Sequence, residues 1–114
     1  MMKKVFLSVT SLLLLTALCS AEEFGDWPRR GAQNSYDGCR NTHEATKAGL
    51  PETKAVEYCT CATTATAQTI PWREFLLLDT AIRERGLPAL NKEEMAIMGK
   101  ALEVRYQCAR KISQ

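Results

Sequence analysis

The chain alternates between apolar stretches and short polar or glycine-proline breaks, and the period of each stretch indicates its structure. Val5 to Leu18 form an almost continuous apolar run, preceded by Lys3 and Lys4 and followed by Cys19-Ser20-Ala21. A basic start, a short apolar middle and a small-residue exit are the layout of a secretory signal peptide, with cleavage expected after Ala21. The run falls short of the roughly 20 residues that cross a bilayer as a helix, which argues against a retained anchor. Lipidation at Cys19 is disfavoured by Leu18, because lipoprotein signals prefer a small residue there.

Residues 22–34, EEFGDWPRRGAQN, are rich in Gly, Pro and charge and carry only Phe24 and Trp27 as apolar handles. They are expected to form a flexible arm whose two aromatics either tuck onto the body or form a tip that touches a partner. From residue 35 to the C-terminus the spacing is helical. Ser35 or Asp37 can cap a helix running to about Ala48, Gly49 suits the left-handed residue past its end, and Pro51 suits the first turn of the next. That next segment, Pro51 to about Thr69, is full of Ala and Thr, and its β-branched residues leave packing to hold it helical. A strand over 60–70 is the alternative.

Trp72, Phe75, Leu78 and Ile82 recur at three-to-four spacing and predict a third helix, ending at Gly86. Arg83 and Arg85 lie in its last turn, where cations favour the helix dipole. Gly-Leu-Pro occurs at 49–51 and again at 86–88, which reads as one turn chemistry used twice. Asn91 and Glu94 make a capping-box variant for a fourth helix, with Leu90 placed to staple onto Met95. Ile97, Ala101, Val104 and Cys108 then share one face, with Met98 and Leu102 beside them. The fold class is therefore all-α, a small bundle of about four helices over residues 35–114.

Loss of the signal changes the charge and cysteine arithmetic. Without Lys3 and Lys4 the 15 basic residues fall to the number of acidic ones, 13, so the mature chain is formally neutral. A nucleic-acid partner is not expected, since that needs a clustered basic surplus. The five cysteines become four, Cys39, Cys59, Cys61 and Cys108. An even set in a small exported chain argues for two disulfides that staple a modest core. Positions two apart on a helix point about 200° apart, so Cys59 and Cys61 cannot pair without breaking it. Two connectivities remain. Cys39 and Cys61 lie at equal distances from Leu50, which favours Cys39–Cys61 with Cys59–Cys108. Cys59 is expected on the core face of its helix, with Val56, Thr63 and Ile70.

The competing chemistry is a metal or thiol-redox site built from the Cys-x-Cys pair with Cys39 and His43. It would need thiolates, which an oxidising compartment removes, and the zinc-type and thioredoxin-type spacings are absent. With one histidine, no nucleophile elbow and no glycine-rich phosphate loop, an enzyme is not expected. No cofactor is expected either. The Tyr-Cys-Thr-Cys stretch, with a cysteine twenty residues upstream of Cys59 and another near the C-terminus, resembles a diffuse group of small exported bacterial helical proteins without an assigned activity. The resemblance implies a disulfide-tied helical domain in the periplasm or outside the cell. Acid-stress periplasmic chaperones share the size class but not these four cysteines, and immunity proteins and secretion pilotins are similarly small and exported but none of their motifs is present. The expected role is binding another protein, in a periplasmic accessory, chaperone-like, immunity or secretion-related task. Phe24, Trp27, Trp72, Leu76 and Leu77 are the candidate contact residues. The run Phe75–Leu78 covers more than one helix face; it is either all core, the favoured reading, or partly open to a partner or a dimer mate.

Overall fold

The computed structural model describes residues 23–114, so the expected signal peptide lies outside the described residues. Within them the chain is helical: α1 Arg29–Asn41, α2 Glu44–Lys47, a 3-10 turn Glu52–Lys54, α3 Ala55–Thr69, α4 Trp72–Arg85, a second 3-10 turn Leu87–Ala89 and α5 Lys92–Ser113. No strand occurs among the described residues, so the 60–70 alternative falls away. The all-α bundle stands, with one short helix more than expected.

The first helix differs most from its expected bounds. It starts at Arg29, so the second half of the 22–34 segment is helical rather than irregular. The start signal is Pro28, whose extended ψ of 150° leads the chain into the first turn. The helix also stops early. Thr42 donates through both its N–H and its hydroxyl to the Gly38 carbonyl, and His43 then takes the left-handed conformation with φ 54°. That reversal separates α1 from α2, where one helix to Ala48 was expected. α2 ends in a Schellman arrangement: Gly49, at φ 89°, donates to Thr46, and Leu50 donates to Ala45, packing its side chain against that alanine. Gly86 repeats the positive φ at 85°; a 3-10 turn follows the first Gly-Leu-Pro, whereas the second 3-10 turn, Leu87–Ala89, begins inside its own. Pro51 precedes its 3-10 turn, and α3 begins only at Ala55.

α3 is the centre of the bundle. It packs against α1 and α5, and α4 packs on α5 from the other side. Tyr58, Cys59, Ala62, Thr63, Thr66 and Ala67 are all buried, and most are small enough for neighbouring backbones to come close. Val56, expected on the core face, is 54% exposed instead. Leu78 of α4 and Ile70 cluster with Ile97 and Ala101 of α5, with Phe75, Ile82, Leu90 and Met98 closing the cluster. The Asn91–Glu94 capping box forms in full. The Asn91 N–H, more than the Arg85 guanidinium, holds the Glu94 carboxyl below the usual carboxylate range. The staple does not form. Met95 is 61% exposed, and Leu90 packs into the Leu78–Ile97 cluster.

The disulfides are Cys39–Cys59 and Cys61–Cys108, the reverse of the favoured pairing. Equal spacing about Leu50 presumed two straight helices joined by a tight turn. The actual connection holds a left-handed residue, a short helix and a 3-10 turn, which shifts α3 relative to α1. The opposite-facing geometry holds: Cys59 reaches α1 and Cys61 reaches α5. In the chain-entropy account the bridges, spanning 20 and 47 residues, stabilise by about 3 and about 4 kcal/mol.

A third tie is aromatic. Trp27 is 6% exposed, its indole N–H donates to the Ile70 carbonyl at 2.8 Å, and its ring sits 5.0 Å from Trp72 and 4.4 Å from Phe75. Asp26 accepts from the Trp72 N–H at 2.9 Å and so caps α4 from a distance of 46 residues along the chain. Gly31 makes room for this cluster, since a Cβ there would lie 2.4 Å from the Trp72 ring.

Two outcomes are expected. Peptide mapping of the unreduced protein recovers Cys39 linked to Cys59 and Cys61 linked to Cys108; the crossed pairs would refute the arrangement of α3. In urea unfolding, Gly31→Ala loses about 1–3 kcal/mol through overpacking against Trp72. Gly38→Ala, whose Cβ meets nothing, loses none and gains up to about 1 kcal/mol of helix propensity.

Candidate functional site

α1 and α4 start side by side, where the Trp72 ring lies over Gly31. Beyond that contact each is held by α3 or α5 rather than by the other, and an open groove of about 720 Å³ runs between them. The α4 wall is apolar, with Trp72, Phe75 and Leu76, and ends in the ion pair of Asp79 and Arg83 at 2.8 Å. The α1 wall carries a row of small residues, Gly31, Ser35, Gly38 and Thr42, at four-three-four spacing, with Arg30, Asn34 and Cys39 beside them. Arg30 stands on the α1 side and forms no ion pair with the described residues.

The floor is polar and tied together. Arg105 of α5 donates through Nε to both carboxylate oxygens of Glu44 at 3.0 Å, and through Nη1 to the Thr66 hydroxyl at 3.2 Å. Cys39 Sγ lies 3.3 Å from Glu44 Oε2, a close contact of a disulfide sulfur that has no proton to donate. Arg105 and Glu44 keep only 20% and 29% of their side-chain surface exposed, so they are largely withdrawn from water. Removing one partner would leave the other half-buried and unpaired, which is the costly case. Against the Glu44 carboxylate lies Tyr58. Burial first, then the Glu44 charge and hydrogen bond, push its phenol up to about 12, while Arg105 works the other way. The neutral phenol is strongly favoured.

The expected contact residues do not form one surface. Trp72 and Leu76 line the groove. Leu77 lies on the other flank of α4, in a shallow depression with Arg73, Thr80 and Glu93. Phe24 is half-buried beside a small pocket of about 250 Å³ between α1 and α3, which Tyr36 and Thr60 also line. Trp27 is used up inside the molecule and offers no surface, as in the reading that tucked it onto the body. Leu76 and Leu77 are each 42% exposed and Leu78 is buried, so the Phe75–Leu78 run is partly open rather than all core. All four cysteines among the described residues are spent in disulfides, which leaves no thiolate there for the Cys-x-Cys chemistry, and His43 is exposed. Sequence reasoning missed the α1 wall and the Glu44–Arg105 floor. The wall had a signal in its small-residue spacing, whereas a pair 61 residues apart has none.

No protein-family model, curated protein or solved structure matches the chain. The site is therefore read from its own geometry. The groove offers shape, one apolar wall and a fixed polar floor, all of which suit holding a ligand.

Tyr58 supplies the test of the floor. Its folded pKa, about 12, exceeds the unfolded value of about 10. The contribution is fully present below the unfolded value and is lost as pH rises through the folded one. Absorbance titration should show one tyrosine ionising late, and Tyr58→Phe should remove that phase. Glu44→Gln should bring it forward only in part, because burial remains. Titration of all three tyrosines as a single ordinary phase would contradict this floor.

Proposed function

We propose that the chain is an exported, non-enzymatic helical module that works by holding a segment of another protein in the groove between α1 and α4. The carrying observation is the groove itself, with apolar Trp72, Phe75 and Leu76 facing small residues of α1 across open space. A partner segment with apolar side chains gains by covering that wall, at roughly 25 cal/mol per Å² of apolar surface removed from water. The site is preformed, since the Cys39–Cys59 bridge and the Glu44–Arg105 pair fix its floor, and preorganisation lowers the ordering cost of binding. Export fits the two disulfides, which persist in oxidising compartments, and the signal-like first 21 residues. Periplasmic or secreted placement, and an accessory, chaperone-like, immunity or secretion-related task, belong to the same reading.

The groove can be filled without touching the core. A Cβ at Gly38 meets nothing within 4 Å, so Gly38→Trp should project its ring into the groove and leave stability within about 1 kcal/mol of wild type, as surface changes usually do. Crosslinking and capture from the exported fraction should recover a protein partner with wild type and lose it with Gly38→Trp. Retention of the partner by the filled variant, or recovery of none with wild type, would overturn the reading.

A further inference from the structure

We propose that a second copy of this chain docks on the outer face of α4, with the two helices antiparallel about a two-fold axis. The proposal rests on the protein-binding reading in taking the open leucines of α4 as a contact surface, and it names a partner for them. On the flank away from the groove, α4 shows Arg73, Leu77, Thr80 and Glu84, all exposed and at four-three-four spacing. That spacing makes one stripe along a helix, the seam along which two helices can pack. Leu76 borders the stripe at 42% exposure, and Leu87 extends it at 54%.

The charges select the occupant. α4 carries six charged residues, of which Glu74 pairs with Lys100, Asp79 with Arg83 and Arg85 with Glu94. Arg73 and Glu84 are the two that form no ion pair among the described residues. Three turns of helix, about 16 Å, keep them from meeting each other. A two-fold contact is self-complementary: if residue i of one copy meets j of the other, j also meets i. The antiparallel register that sets Leu77 against Thr80 of the second copy also sets Arg73 against Glu84, twice. One register thus satisfies the apolar centre and both unpaired charges. A parallel pair would instead bring Arg73 to Arg73 and Glu84 to Glu84.

The back of α5 is the competing surface, since Met95, Leu102 and Tyr106 are exposed there. Antiparallel packing of that face, with Leu102 over Gly99 and Met95 over Tyr106, brings Lys92 towards Arg110, a like-charge contact at both ends. A partner on α4 meets attraction where one on α5 meets repulsion. The α4 contact is short, about 21 Å of helix, and smaller than a standard interface of about 800 Å² per partner. The dimer is therefore weak and reversible.

Sedimentation equilibrium of the oxidised mature protein, free of other proteins, should show a monomer–dimer equilibrium that weakens with salt. Leu77→Asp should abolish it. Arg73→Glu and Glu84→Arg, each turning two attractions into repulsions, should each weaken it about ten-fold. The double variant Arg73→Glu/Glu84→Arg should restore it to within about two-fold of wild type, as charge exchange across a single register requires. A monomer throughout the millimolar range, a dimer indifferent to Leu77→Asp, or a double variant that stays weak would overturn the proposal. Gly38→Trp should leave this equilibrium unchanged while it removes partner capture, so each reading can fail without the other.

Discussion

Everything in this molecule hangs on α3 carrying cysteines that point in opposite directions. A helix turns about 200° over two residues, so the Cys59 bridge fastens α1 to one side of α3 and the Cys61 bridge fastens α5 to the other. With both neighbours bonded to it, α3 needs no strong helix propensity of its own, and its run of threonines and alanines becomes affordable. Small side chains then let those neighbours approach closely, which is why Cys59, Ala62 and Thr66 have no exposed surface. In a domain this small, covalent ties replace part of what a larger core would supply.

The second constraint is the aromatic wedge at the chain's entry. Trp27 packs its ring against the stacked pair of Trp72 and Phe75 and uses its one polar side-chain atom on the Ile70 carbonyl. Ile70 is the extended residue between α3 and α4, so the bond fixes the angle at which α4 leaves α3. Gly25 serves the same junction, because a Cβ there would lie 2.8 Å from the Ala67 carbonyl oxygen. A segment that reads as an arm thus works as a clamp. Its glycines meet close approaches rather than conferring freedom.

Periodicity and capping chemistry were legible at several sites whose determinants are local. The α4 stripe, the Asn91–Glu94 box and the paired Gly-Leu-Pro turns follow from residues a few positions apart. So did the exclusion of a Cys59–Cys61 bridge. Most of the failures share a cause. Asp26 capping Trp72, Trp27 reaching Ile70, Gly31 lying under Trp72 and Arg105 gripping Glu44 are all set by tertiary contacts. The start of α1 at Arg29 belongs with them, since Gly31 lowers helix propensity but is needed against the Trp72 ring. The disulfide pairing failed for a local reason that spacing hides: a left-handed His43 gives no warning in a sequence read as helix.

These constraints together account for an open groove in so small a protein. α1 and α4 are placed by different agents, α1 by its bridge to α3 and α4 by its packing on α5. The wedge brings their first turns together and nothing draws in the rest. A full set of apolar side chains along the facing side of α1 would close the gap by burial, which a single one would leave largely open. Gly31, Ser35, Gly38 and Thr42 stand there instead. Only Gly31 is required by a close approach; the Gly38 Cβ position is empty space. The stability that larger residues could add at Ser35, Gly38 and Thr42 is left unused, and an apolar α4 wall stays uncovered as a consequence. The partner segment proposed above would supply the burial that α1 leaves out.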